Sequence, residues 1–171
     1  MARNDGLGTV EWVESGGGPL IVIPEIVLPF WSGADGDEMY SDYDRACDVD
    51  GSIGLVPVGD TRALVLGDEP ASTSYLPEHG AFVRWCAADS EDDLLKGVPA
   101  ALETAVWEPE VHWNVPGAVI LFDAAWPGTT STRTEHIRVA LEPGRYAVRS
   151  TYAEPGPETW VGLVQLRRLP D

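Results

Sequence analysis

Basic residues are scarce in this chain: 11 Lys and Arg stand against 28 Asp and Glu, for a formal net charge of −17. A protein this acidic repels DNA, RNA and anionic lipid head groups, and is drawn to partners that carry a basic cleft. Cysteine is scarcer still. Cys47 and Cys86 cannot build a disulfide framework, and without CxxC spacing they do not read as a zinc site. Both are expected as buried free thiols in a reducing cytoplasm. No apolar run reaches the roughly 20 residues that span a bilayer. The most apolar stretch, 19 to 31, is interrupted by Pro24, Glu25 and Pro29. Residues 1–9 lack the apolar core of a secretory signal and read as a flexible N-terminal tail. The expectation is a soluble, cytoplasmic protein, a monomer rather than an oligomer, with no nucleic-acid and no membrane partner.

Catalytic signatures are missing as well. His79, His112 and His136 lie far apart, none at ligand spacing from another His or Cys. Asp48-Val49-Asp50-Gly51 matches part of a calcium loop, but Ala46 occupies the first ligand position and Pro57 the twelfth. Ser15-Gly16-Gly17-Gly18 has neither the Lys nor the long following helix of a phosphate loop. No GxSxG is present. The chain is therefore expected not to be an enzyme and to need no cofactor or metal.

What is present is a globular composition. With 171 residues, 44% hydrophobic content and seven Trp, residues 10–171 can bury one sizeable core as a single domain. Periodicity favours strands. Val10 to Glu14 and Leu20 to Ile23 flank Ser15-Gly16-Gly17-Gly18-Pro19, a hairpin-type connection. Pro24-Glu25 opens a helical turn that Pro29 cuts to a stub. Asp42 to Val49 fits a short helix capped by Ser41 or Asp42. Ile53 to Val58 and Ala63 to Leu66 form the clearest hairpin, and Pro57, unable to donate to a ladder, places the first of them at an edge or bulge. Ala81 to Ala87 reads as a strand, with Arg84 either on the wet face or paired with a buried acid.

One region is helical, 89 to 106, and Gly97 and Pro99 split it in two. Its Asp89, Glu91, Asp92 and Asp93 suit the positive end of a helix dipole. Strands follow at Glu110 to Val115, Ala118 to Phe122, Ile137 to Leu141, Arg145 to Tyr152 and Trp160 to Leu169. The expected fold is α+β: mainly an antiparallel β-sandwich or strongly bent sheet with a few short helices.

The acids are unevenly placed. Residues 1 to 129 hold 23 acids against 5 Lys and Arg, whereas 130 to 171 hold 5 acids against 6 Arg. Helix ends and turns account for many of them. The segment 35 to 50 has no such evident reason: Asp35, Asp37, Glu38, Asp42, Asp44, Asp48 and Asp50 stand against Arg45 alone, interleaved with Met39, Tyr40 and Tyr43. Carboxylates can take the place of phosphates, and aromatic anchors give interface energy. Asp35, Asp37, Glu38, Tyr40, Asp42, Tyr43, Asp44, Asp48 and Asp50 are thus the candidate binding residues, with a solvated acidic loop as the alternative.

An ordered set of short motifs carries a resemblance. Trp12-Val13-Glu14-Ser15-Gly16-Gly17, Pro19-Leu20, Pro24-Glu25, Asp42-Tyr43-Asp44-Arg45-Ala46-Cys47, Ala63 to Pro70, Arg84-Trp85, Leu121-Phe122-Asp123-Ala124 and Pro143-Gly144-Arg145-Tyr146 occur in that order. Together, from about residue 10 to 169, they resemble the immunity 21 family of bacterial polymorphic toxin systems. The resemblance implies an immunity protein that binds and neutralises a cognate secreted toxin domain, and it transfers no catalytic residue. Combined with the charge, the expected partner is a basic toxin domain, a nuclease among the candidates, occluded by the acidic segment. A different class stays open: a carbohydrate- or small-ligand-binding β-sandwich, in which Trp107, Trp113 and Trp126 stack on sugars. A solvent-facing row of these rings would favour it, and burial would favour protein inhibition.

Overall fold

The computed structural model describes residues 10–36, 39–68 and 70–171. The tail expected over residues 1–9 lies outside the described residues. Along the chain the elements are β1 (Leu20–Pro24), α1 (Asp42–Cys47), β2 (Ile53–Val58), β3 (Thr61–Leu66), β4 (Ser72–Leu76), β5 (Ala81–Ala87), α2 (Glu91–Lys96), α3 (Val98–Thr104), β6 (Val111–Val115), β7 (Val119–Asp123), β8 (Ile137–Val139), β9 (Gly144–Gly156) and β10 (Thr159–Arg168). Short 3-10 helices occupy Glu25–Phe30, Pro77–His79 and Gly128–Arg133. The strands form two five-stranded sheets, ordered β2-β3-β1-β7-β8 and β4-β5-β10-β9-β6. Every pairing within them is antiparallel. The fold is the α+β sandwich expected from the periodicity.

Both faces of each sheet are covered. This explains why β1, β3 and β7 read as continuous apolar runs and not as alternating ones. Between the sheets, Leu20, Val22, Leu64, Leu66 and Leu121 meet Phe82, Trp113, Val148, Val164 and Leu166. On the outer side of the first sheet, Ile21, Ile23, Val65 and Phe122 lie under Val27, Trp31 and Ala46, from the Glu25–Phe30 turn and α1. On the outer side of the second, Val83, Val161 and Leu163 lie under Leu94, Val98 and Ala101 of α2 and α3. Each fully buried aliphatic side chain contributes about 1.5–3 kcal/mol, so α2 and α3 are held mainly by what they cover. Trp31, 1% exposed, also donates its indole N–H to the Ala124 carbonyl at 3.0 Å.

Local signals predict several elements well. Ser41 caps α1, accepting from the Asp44 amide at 3.1 Å, while Asp44 accepts from the Ser41 amide at 2.9 Å. Gly97 divides α2 from α3, and Pro99 sits in the first turn of α3, where a missing N–H costs nothing. Pro57 lies on β2, at the edge of its sheet.

Two expectations need correction. Val10 to Glu14 does not form a strand hairpinned to β1; only Val13 pairs, as an isolated bridge to Thr73. β1 is apolar at every position and takes a central place between β3 and β7. The 10–14 segment, with Glu11 and Glu14, suits only a margin. Cys47 is exposed and Cys86 half-buried, so the thiols are free but not buried: Cys47 closes α1 on its solvent side.

Strand register gathers distant loops at one end of the sandwich. The starts of β1, β4 and β10 align with the ends of β3, β5, β7 and β9, as in Leu20 opposite Leu66 and Asp123, Ser72 opposite Trp85, and Trp160 opposite Ala87. Here the apolar interior gives way to polar groups. Ser52 and Ser150 share a 2.6 Å hydroxyl contact, and Arg84, 2% exposed, donates to the Gly67 carbonyl at 2.9 Å and to Thr73 Oγ1 at 3.3 Å. Arg84 is therefore not on the wet face: it is buried, with a backbone carbonyl and a hydroxyl among its partners. Burial pushes its guanidinium pKa down.

Candidate partner-binding surface

The acidic segment is only partly free to bind. Asp42 accepts from the Ser32 amide at 2.9 Å and the Ser32 hydroxyl at 3.0 Å, and pairs with Arg45 at 2.9 Å. Burial pushes its carboxyl up, but the Ser32 and Arg45 contacts outweigh that and hold it below the ordinary carboxylate value. Arg45 in turn donates to the Pro57 carbonyl at 2.9 Å and lies 5.5 Å from the Trp31 ring centre. Asp44 completes the capping box. Asp42 thus ties α1 to the Ser32 loop and holds Arg45, which reaches β2, while the Asp44 contacts stay within the helix start.

The remaining candidates divide by exposure. Asp35, Tyr40, Asp48 and Asp50 face solvent, while Tyr43 and Asp44 are half-buried beside Asp42. The Tyr40 hydroxyl donates to Asp48, a bond that raises the phenol pKa. Asp37 and Glu38 lie outside the described residues. Tyr43 is anchored by its amide, which donates to the Gly33 carbonyl at 3.0 Å. Its ring lies against Gly18, where a β-carbon would collide with the phenol. Burial pushes the Tyr43 pKa up, and the neighbouring Cys47 adds to it.

Sequence reasoning missed Ile26 and Phe30, exposed on the 3-10 turn that covers the first sheet. Met39, named with the acidic segment, is exposed too, and Trp126, expected in a stacking row, is half-exposed in the loop after β7. Trp126 follows the Asp123 turn, in which the Asp123 carboxylate accepts from the Gly16 amide at 2.8 Å and the Ala125 amide at 2.9 Å. The available signal was the turn chemistry of Asp123, which fixes where the indole emerges.

At the polar end, Asp68 has φ +59°, a left-handed conformation that Asp tolerates better than most residues. Its carboxylate accepts from the Tyr152 hydroxyl at 3.2 Å. Burial pushes Tyr152 up to about 12, with Arg84 pulling the other way and Asp68 adding to the rise. The phenol therefore stays protonated and acts as a donor. Beside this pair a hollow of about 290 Å³ opens between Trp85 and Trp160.

Trp107, Trp113 and Trp126 do not share a surface. Trp113 is fully buried and donates to the Arg62 carbonyl at 2.9 Å, and Trp107 is covered by the Arg149 guanidinium at 3.9 Å. Only Trp126 of the three is open to solvent, so they make no stacking row for a sugar. Among the described residues no three His, Cys, Asp or Glu side chains group as metal ligands. Among them, too, no helix is long and apolar enough to cross a membrane.

The fold defines an α+β sandwich protein, with an acidic and aromatic flank exposed beside α1. Residues 11–159 match the family model of immunity protein 21, and the chain belongs to that family. No curated protein and no solved structure matches it. Family membership makes this an immunity protein of a toxin system, with a toxin as its partner.

Proposed function

We propose that this immunity protein binds a cognate secreted toxin domain and neutralises it by occlusion, without catalysis and without a cofactor. The family match over residues 11–159 carries the reading. The net charge of −17 supports a basic toxin domain, and a nuclease fits best because its phosphate-binding cleft attracts carboxylates. The protein acts as a cytoplasmic monomer and engages neither nucleic acid nor membrane.

The surface for the toxin is the flank built on α1. Asp42 and Asp44 shape it through the Ser32 and Ser41 contacts. Asp35, Asp48 and Asp50, together with Asp37 and Glu38, supply the charge that steers association, at rates of about 10⁸ M⁻¹s⁻¹ in low salt. Tyr40 and Tyr43 are the anchors, with the exposed Met39 beside Tyr40.

The test is co-expression with toxin domains encoded beside the gene. Protection of a sensitive strain and co-purification of a 1:1 complex are expected. If no neighbouring toxin is bound or neutralised, the reading is wrong.

A further inference from the structure

At the polar end of the sandwich, four hollows share lining residues and run into one another. The first lies beside Trp126 and extends to Gly18 and Tyr43. Those two residues also line the second, which passes Cys47 and reaches Asp68 and Pro70. Asp68 and Pro70 open the third, of about 290 Å³, which Trp85, Tyr152 and Trp160 also line. Trp160 is then the ridge before the fourth, where the exposed Glu154 and Glu158 stand. The result is one groove across the loop end, from Trp126 to the β9–β10 tip.

The walls are built into the backbone. A register slip between Trp160 and Val161 marks a bulge, and bulges re-aim the side chains beside them. Trp160 stands 42% exposed, with its ring centre 5.9 Å from that of Tyr152. At position 162 a β-carbon would lie 3.1 Å from the Tyr152 ring and 3.2 Å from Arg84 Cβ. Glycine there lets the phenol lie down along β10.

The chemistry is one-sided. None of the described residues lining these hollows is Lys or Arg. The nearby Arg84 is buried beneath the surface and is not offered to a ligand. Glu154 and Glu158 make no ion pair among the described residues. Hollows in series, separated by side-chain ridges, fit successive side chains of an extended chain. Aromatic walls beside carboxylates fit cationic side chains, whose stems pack on the rings while the heads reach the acids.

We propose that this groove receives an extended segment of the toxin whose Lys or Arg side chains lie along it, with stems on Trp126, Tyr152 and Trp160 and charged heads at Asp68, Glu154 and Glu158. The inference rests on the immunity reading and adds to it the shape and chemistry of the segment recognised.

The groove can be tested without the toxin. The probe is a fluorescein-labelled (Gly-Arg)4 peptide titrated into the full chain, with (Gly-Glu)4, (Gly-Leu)4 and a soluble oligosaccharide as competitors for the same site. The indole N–H signals of Trp126 and Trp160 should shift on adding (Gly-Arg)4, and Trp113 should not. Glu154→Arg with Glu158→Arg should weaken binding about tenfold. Glu78→Arg with Glu142→Arg, exposed positions at the opposite end, makes the same change in net charge and should weaken it less than about threefold. Trp160→Ala should weaken binding without altering net charge. Equal effects of the two charge reversals, shifts confined to other tryptophans, or a preference for (Gly-Leu)4 or the sugar would each overturn the proposal. A wild-type protein that protects against no neighbouring toxin instead defeats the immunity reading and leaves the peptide result to stand on its own.

Discussion

The helical covers on the two sides of the sandwich begin with the same pattern, Ser-x-x-Asp, and use it differently. In α2, Ser90 accepts from the Asp93 amide at 3.1 Å. Asp92 and Asp93 of its first turn face water, Glu91 accepts from the Trp12 indole, and Leu94 holds the helix down with Val98 and Ala101 of α3. In α1 the cap is reciprocal between Ser41 and Asp44, and only Ala46 is fully buried. Its hold on the sheet runs through Asp42 to Ser32, Arg45 to Pro57 and Tyr43 to Gly33. One cover is fastened by apolar burial and the other by directed polar contacts. Asp92 and Asp93 are thus dipole partners on one side, and Asp42 is a tether on the other.

The largest effect should come from the apolar side. Leu94→Ala, at a fully buried position, is expected to cost about 2–5 kcal/mol in urea-induced unfolding. A smaller loss would mean that α2 is not fastened by burial. Asp44→Ala, which removes half of the α1 box, should cost about 1 kcal/mol by the same measurement. Asp93→Ala should leave stability unresolved from wild type, and equal losses in the two variants would erase the contrast between the caps.

Next in size is an effect of pH. A carboxyl held below its ordinary value contributes stability that is complete above the unfolded value, about 4 for Asp, and is lost as pH falls through the folded one. Asp42 is such a group. In Asp42→Asn the stability contributed above pH 4 is absent, so its melting temperature should fall less than that of wild type on acidification from pH 5 to 3. Parallel curves would show that the Ser32 and Arg45 contacts do not favour the charged form. The smallest structural effect is expected from Asp35→Lys with Asp50→Lys. Both are exposed and their side chains make no hydrogen bond or ion pair among the described residues, so the thermal midpoint should hold while toxin association slows and loses salt dependence. An unchanged association rate would move the toxin surface away from α1.

Much of the fold was legible because it is written locally. The β2–β3 hairpin, the break at Gly97 and the α1 cap are each specified within a few residues. β4 was not legible. Its sequence, Ser72 to Leu76, is mostly small and polar, and it becomes a strand through its ladder with β5. The 10–14 segment misled in the opposite way, having strand alternation without a partner strand. The acidic segment was visible as composition. Its division into tethers and free charges was not, since that depends on Ser32 and Pro57 being brought alongside. The groove could not be read at all: it joins loops near residues 18, 43, 68, 126 and 160, and only strand register places them together.

The Val13–Thr73 bridge ties the first described residues to the edge of β4 through two hydrogen bonds of 2.8 and 2.9 Å. A third, at 2.6 Å, runs from the Trp12 indole to Glu91. Val13 is 1% exposed within the central core and the Trp12 ring packs edge-on against Trp85, so the strap is fastened by burial as well as by these bonds. It covers part of the outer edge of β4, the kind of margin that otherwise offers unpaired backbone groups to another strand.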